Sequence, residues 1–206
     1  MHKFVAVAAV AAAFASTPAF AQSEPAPAAM SGPRIEATAG WDRIVLGVDG
    51  DTVKRSGVTY GGEIGYDIRT DGGLVLGAYA GADGASTKVC ARDGTESACI
   101  KAGRNITAGV RAGGSWAGLS LFYVKGGYSN GELKVDYEDT AFPADNFEES
   151  GDVDGFHLGT GAEVGFSGNF YGKVEYNYTK YSTQNDAGFD IDFNRHRVVG
   201  GLGIRF

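Results

Sequence analysis

The sequence predicts an all-β fold, an eight-stranded antiparallel up-and-down transmembrane β-barrel. Three observations carry that expectation. An apolar segment of the export type opens the chain, side-chain character alternates with a period of two through most of the remainder, and the connections between alternating runs are short and long by turns.

The first segment reads as a signal peptide. Lys3 supplies a positive start, Phe4 to Phe20 is almost wholly apolar, and Ala19-Phe20-Ala21 presents small residues to a signal peptidase, so cleavage is expected near Ala21. The run falls short of the ~20 residues that a spanning helix needs. Residues 22–33 are Ala/Pro-rich and read as a flexible lead, which leaves 34–206 as one barrel domain. The formal charge of −7 argues against a nucleic-acid partner, which would want a basic surface. No later stretch is apolar enough for a membrane helix. That does not exclude a barrel, whose strands need only ~9–11 residues with apolar side chains at every second one.

Eight runs alternate. Ile35, Ala37, Ala39 and Trp41 open the series, followed by Val58 to Ile68 and Leu74 to Ala80. Ile106 to Ala112 and Phe122 to Tyr128 come next. The clearest is Phe156 to Phe166, with Phe156, Leu158, Thr160, Ala162, Val164 and Phe166 on one face. Phe170 to Tyr178 and Val198 to Phe206 complete the set. Thr70-Asp71-Gly72-Gly73, the region of Trp116-Ala117-Gly118, and Ser167-Gly168-Asn169 are short connections, whereas those after the first, third, fifth and seventh runs are long and polar. Short turns at one end and long loops at the other suit a membrane barrel.

A sheet surrounded by hydrocarbon must close on itself to pair its backbone. The charged alternate residues are therefore expected inside: Glu36, Asp42, Glu63, Asp67, Arg111, Lys125, Glu163, Lys173, Glu175, Arg197 and Arg205. On the lipid face an Arg or Lys at mid-depth would cost about 2–4 kcal/mol. Eight strands leave a lumen that side chains can fill, so a plugged interior is expected. Inward glycines such as Gly65, Gly161 and Gly203 leave room for large neighbours. Outward aromatics near strand ends, Trp41, Tyr60, Trp116, Tyr128, Phe166, Phe170 and Tyr178, suit an interfacial girdle.

On these features the chain resembles the small outer-membrane β-barrel family that includes opacity-type proteins and the OmpA-like transmembrane domain. The resemblance spans about residues 34–206 and rests most on Gly201-Leu202-Gly203-Ile204-Arg205-Phe206, which looks like the β-signal read by the barrel assembly machinery. Gly201, Leu202, Ile204 and Phe206 are its key positions, although Gly200 stands where the family usually has a polar residue. Arg34 to Asp42 looks like the family's first strand. The resemblance implies the outer membrane, both termini on the periplasmic side, and contact with outer-membrane lipid and lipopolysaccharide.

Chemistry-bearing residues are few. Cys90 and Cys99 can close a disulfide in an exported chain; a metal pair is the rival reading, with no His nearby. His196 lies near Asp192 and Ser182, so a Ser–His–Asp assembly for lipid modification is conceivable but has no motif spacing. His157 reads as a polar lumen or rim residue. The acidic stretch Glu138 to Asp154 is a solvated loop or a divalent-cation site. No cofactor, catalytic or metal motif is identified. The expected protein is a non-enzymatic structural and interaction barrel whose four surface loops meet ligands. The rivals are a narrow porin-like channel or small-ligand carrier, a lipid A-modifying enzyme, and a soluble lipocalin-like barrel.

Overall fold

A computed structural model describes residues 30–48, 51–93, 96–116, 119–139, 147–182 and 192–206. The expected signal peptide and most of the lead lie outside them. The strands are β1 (Gly32–Val48), β2 (Asp51–Arg69), β3 (Leu74–Ala85), β4 (Lys88–Asp93), β5 (Glu96–Trp116), β6 (Leu119–Asp139), β7 (Phe147–Ser167), β8 (Phe170–Ser182) and β9 (Asp192–Arg205). Every ladder is antiparallel, and β3 and β4 are two lengths of one barrel strand, both pairing with β5. β9 pairs with β1 from Arg34↔Arg205 to Gly47↔Asp192, which closes an eight-stranded ring.

At one end of the barrel, hereafter the turn end, the connections are tight. Gly73 (φ 81°) lets the Thr70–Gly73 turn close with Gly73 N donating to Thr70 O at 2.9 Å, and Gly168 takes the left-handed φ of 50° in the turn between β7 and β8. Only Gly adopts this backbone without strain. The first strand starts at Gly32 rather than Arg34, because Gly32 and Pro33 pair with Asp67 and Tyr66 of β2.

At the opposite, extended end three of the four connections expected to be long are shortened by pairing, while residues 140–146 and the whole of 183–191, between β8 and β9, lie outside the described residues. β1 and β2 remain paired to Val48↔Asp51, β4 and β5 to Asp93↔Glu96, and β6 and β7 to Tyr137↔Phe147. Stretches that looked like polar loops are hairpins rising from the ring, and the acidic stretch after residue 147 is strand. The reason lies in the side chains. From Arg34 to Asp42 the inward residues of β1 are polar or small, and the outward ones apolar; beyond Trp41 the outward residue is Arg43 and the inward one is Ile44, buried at 5% exposure. Ile44, Tyr181 and Phe193 pack together with Ala102, Leu133 and Val153 inside this upper ring, while Arg104 and Asp152 face out. The strands thus exchange their faces where lipid gives way to water.

A second apolar cluster, Met30, Val75, Leu121 and Tyr123, closes the turn end, with Met30 entering from just ahead of β1. Between the clusters the two faces are opposite in kind. Val58, Ile64, Leu76, Val110, Phe156, Leu158 and Leu202 are exposed, while Glu36, Asp67, Arg111 and Glu163 are buried at 3% or less. Trp116, Phe122, Phe166, Phe170 and Phe206 ring the turn end of the apolar band, and Trp41, Tyr60, Tyr128 and Phe156 ring the other. That is the aromatic arrangement of a membrane barrel.

Inward glycines yield their space to neighbours, as expected. A methyl at Gly161 would stand 2.5 Å from the Tyr123 hydroxyl, one at Gly203 2.3 Å from the Tyr171 ring, and one at Gly77 2.1 Å from Asp67 Oδ1. Gly161→Ala is therefore expected to lower stability by about 1–3 kcal/mol through overpacking. Gly172→Ala, whose added methyl meets nothing within 3.9 Å on the lipid face, is expected to leave it unchanged. Urea unfolding in lipid vesicles compares the two.

Candidate functional site

The densest chemistry lies in the lumen. At each strand the pleat sends alternate residues inward, and where the inward residue is Gly the neighbouring long side chain crosses the axis. In the lower half Arg34 contacts Glu36 at 2.5 Å, Glu63 at 2.7 Å and Asp67 at 3.4 Å. Arg111 holds Asp67 with two nitrogens, at 2.9 and 2.5 Å, and Glu163 at 2.6 Å. Arg205 contacts the same two acids at 3.1 and 2.9 Å. Lys125 binds Glu63 at 2.6 Å and Glu175 at 3.2 Å, and Lys173 binds Glu36 and reaches Glu175 at 3.3 Å.

Five bases and five acids make up this network, so its formal charge cancels. Tyrosines complete it. Tyr123 donates to Glu175 at 2.5 Å and Tyr171 to Glu36 at 2.6 Å, while the Arg111 and Arg205 guanidinium groups lie 4.8 Å from the Tyr123 and Tyr171 ring centres. Each carboxylate thus has several donors, which a buried charge requires.

A smaller network sits above it. Asp42 accepts from Arg195 Nε at 2.5 Å and from the Thr87 hydroxyl at 2.6 Å, and Asp83 meets Arg197, with Arg195 at 3.4 Å. Two acids face two bases. The break at Ser86-Thr87 between β3 and β4 turns Thr87 inward onto Asp42, while Ser86 N keeps its bond to Val58 O at 2.8 Å. Between the networks His157 joins the Tyr79 hydroxyl through Nε2 and the Ser129 hydroxyl through Nδ1 at 2.8 Å. It is a lumen residue.

All ten residues expected in the lumen network, with Asp42, are buried and point inward. Three charged members were not anticipated. Arg34 shares the parity of Glu36, which would have identified it; Asp83 and Arg195 lie beyond the expected strand ends. Cys90 and Cys99 face each other across β4 and β5 with Cα atoms 4.1 Å apart and their sulfurs bonded. Leu202, Ile204 and Phe206 share the outward face of β9.

The Ser–His–Asp idea is not assembled. His196 pairs with Tyr178 across β8, four residues along from Ser182, or about 13 Å at ~3.3 Å per residue. Its Nδ1 is taken by the Tyr176 hydroxyl at 2.8 Å. The side chains of Ser182 and Asp192 lie outside the described residues. Of the acidic stretch Glu138 to Asp154, residues 140–146 and the side chains of Glu138, Asp139 and Glu148 lie outside the described residues. Asp154 is held by Tyr128 and Asn130, whose hydrogen bonds keep its carboxyl below the usual range, and Asp152 meets Arg104 at 3.3 Å. Among the described residues no group of three His, Cys, Asp or Glu side chains is placed to hold a metal.

Breaking one buried ion pair leaves a stranded charge, which typically costs about 3–5 kcal/mol. Lys125→Met is expected to destabilise the barrel by that amount. The double variant Lys125→Met/Glu63→Gln, which restores neutrality while Arg34 still serves position 63, is expected to recover part of it. Urea unfolding of both singles and the double gives the coupling.

Residues 7–206 match the model of the outer membrane protein beta-barrel domain. The chain is similar to the 31 kDa outer-membrane immunogenic proteins of Brucella melitensis and Brucella suis, each 29% identical over 165 residues that cover 75% of this chain and 68% of the relative. Among solved structures, Neisserial surface protein A aligns with a TM-score of 0.52 and 12% identity over 85% of this chain and 98% of that one. The outer membrane protease OmpT from Escherichia coli aligns with a TM-score of 0.50 and 10% identity over 90% and 100%. Identities that low speak for the fold alone. The chain belongs to the outer membrane protein beta-barrel domain family and is a protein of the outer membrane.

Proposed function

We propose that this protein is a non-enzymatic structural and interaction barrel, closed to general solutes, which presents its extended hairpins outside the cell. The observation that supports it best is the interior. Ion pairs, tyrosines and asparagines fill the membrane depth, with an apolar cluster above and another below. A solute would have to break several buried salt bridges to pass. In this reading the turn end, with both strand termini, faces the periplasm, and the hairpins of β1–β2, β4–β5, β6–β7 and β8–β9 carry any ligand contacts. The outward Leu202, Ile204 and Phe206 of β9 are the surface offered to the barrel assembly machinery, and residues 1–21 are the export signal.

One observation favours a second reading, a narrow channel. A cavity of about 30 Å³ bordered by Glu63, Lys125, Lys173, Glu175, Asn177 and Arg197 lies between the two networks, and Asn177 Oδ1 and Arg197 Nε have no partner there. It has room for a water or two. Water in one chamber is not a path, because the apolar clusters bound it at both ends.

The two readings differ in conductance. Protein inserted into planar bilayers is expected to leave the current silent while showing heat-modifiable migration on SDS gels. Regular conductance steps, altered in Lys125→Met, would replace the closed reading with the channel.

A further inference from the structure

The disulfide stands where the closed ring gives way to an open edge. Above Ser86-Thr87, β4 pairs with β5 alone, while β5 also pairs with β6 on its other side. Among the described residues, one edge of β4 is therefore without a strand partner. Thr87 turns inward onto Asp42, so alternation sends Lys88 and Cys90 outward, and Cys90 is exposed. Its partner Cys99 is half-buried.

The ladder decides how the two sulfurs can be reached. Ala102 N donates to Thr87 O at 3.0 Å, which makes those two a hydrogen-bonded pair. Counting along the register, Cys90 and Cys99 fall on a pair that exchanges no backbone hydrogen bonds, where side chains across the ladder lie closest. The sulfur–sulfur bond thus runs across the strands, from the edge strand toward the sheet. A thiolate attacks a disulfide sulfur in line with the bond it breaks, and access decides which sulfur reacts. The line to Cys90 Sγ comes in from the open edge of β4. The line to Cys99 Sγ comes over β6, where Asp136 lies directly opposite Cys99. An incoming thiolate meets solvent on one side and a carboxylate on the other.

The neighbours of Cys99 also suit a departing thiolate. Ser97 Oγ lies 4.0 Å from its sulfur, and the next rung on the outward face pairs Lys88 with Lys101, which also holds Asp136. Nearby cations favour a thiolate. Exposed disulfides are the labile ones among those of exported proteins.

We propose that Cys90–Cys99 is an exchange site for a small solvent-borne thiol, with Cys90 as the sulfur attacked. The thiolate forms a bond to Cys90 Sγ as the bond between the two cysteines breaks, and the electron pair leaves on Cys99 Sγ. That thiolate takes a proton from water. One disulfide is consumed and one is formed, so no oxidant or reductant is needed. The edge strand then carries the thiol covalently, and β4 keeps only its backbone ladder to β5. Exchange here does not depend on whether the barrel conducts.

Glutathione is added to folded protein in detergent micelles, the reaction is stopped early with acid, free thiols are alkylated, and the peptides are mapped by mass. Glutathione on Cys90 and the alkyl group on Cys99 are the expected products. Ser97→Ala is expected to slow the exchange about two- to tenfold, the worth of one hydrogen bond. Asp136→Asn is expected to raise the share of glutathione found on Cys99. Adduct carried mainly by Cys99, exchange only after urea has unfolded the barrel, or an unchanged distribution in Asp136→Asn would each overturn the site. Heat-modifiable migration shows that a variant is folded, and the distribution in the unaltered chain decides the matter if one is not.

Discussion

Everything in this molecule follows from the need to pair backbone groups where no water is available. Hydrocarbon offers no donor or acceptor, so the ladder has to return to its own first strand. β9 against β1 does this, down to the amide of Phe206, which donates to Pro33 O at 2.9 Å. A closed pleated ring then has two faces of fixed parity. One meets lipid and must be apolar; the other is left to hold whatever polar residues the chain carries.

The interior solves a second problem, that of burying fourteen charged side chains in a narrow space. Buried ion pairs are weak evidence for stability, because desolvation can exceed their attraction. Here the relevant comparison is the lipid face, where the same groups would be worse placed. Neutral totals in each of the two networks, multiple donors per carboxylate, and tyrosine rings against guanidinium planes keep that cost down. Gly77, Gly161 and Gly203 are part of the same solution, since each occupies a position where a neighbour's polar end crosses.

Much of this was legible in the sequence because parity is a strong signal wherever the two faces differ. Phe156 to Phe166 could be assigned residue by residue, and so could the inward set from Glu36 to Arg205. What escaped was the part of each strand beyond the apolar band. From Ile44 in β1, Leu133 in β6, Val153 in β7 and Phe193 in β9 the apolar residues change to the inward parity, so the lipid-facing pattern stops and the segment resembles a loop. Reversed alternation was the available sign. The pairing of particular acids with particular bases was not legible, because register across the ring, rather than position along one strand, decides which side chains meet.

Above the band β1–β2, β4–β5 and β6–β7 continue as paired ladders. Arg104 of β5 and Asp152 of β7 sit 48 positions apart in the chain yet touch across β6, and Lys101 meets Asp136 across the β5–β6 ladder. Surfaces made there are mosaics of distant segments. A short peptide copied from any one hairpin would reproduce only a fragment of them, so an antibody or receptor that recognises such a mosaic reads folded architecture instead of linear sequence.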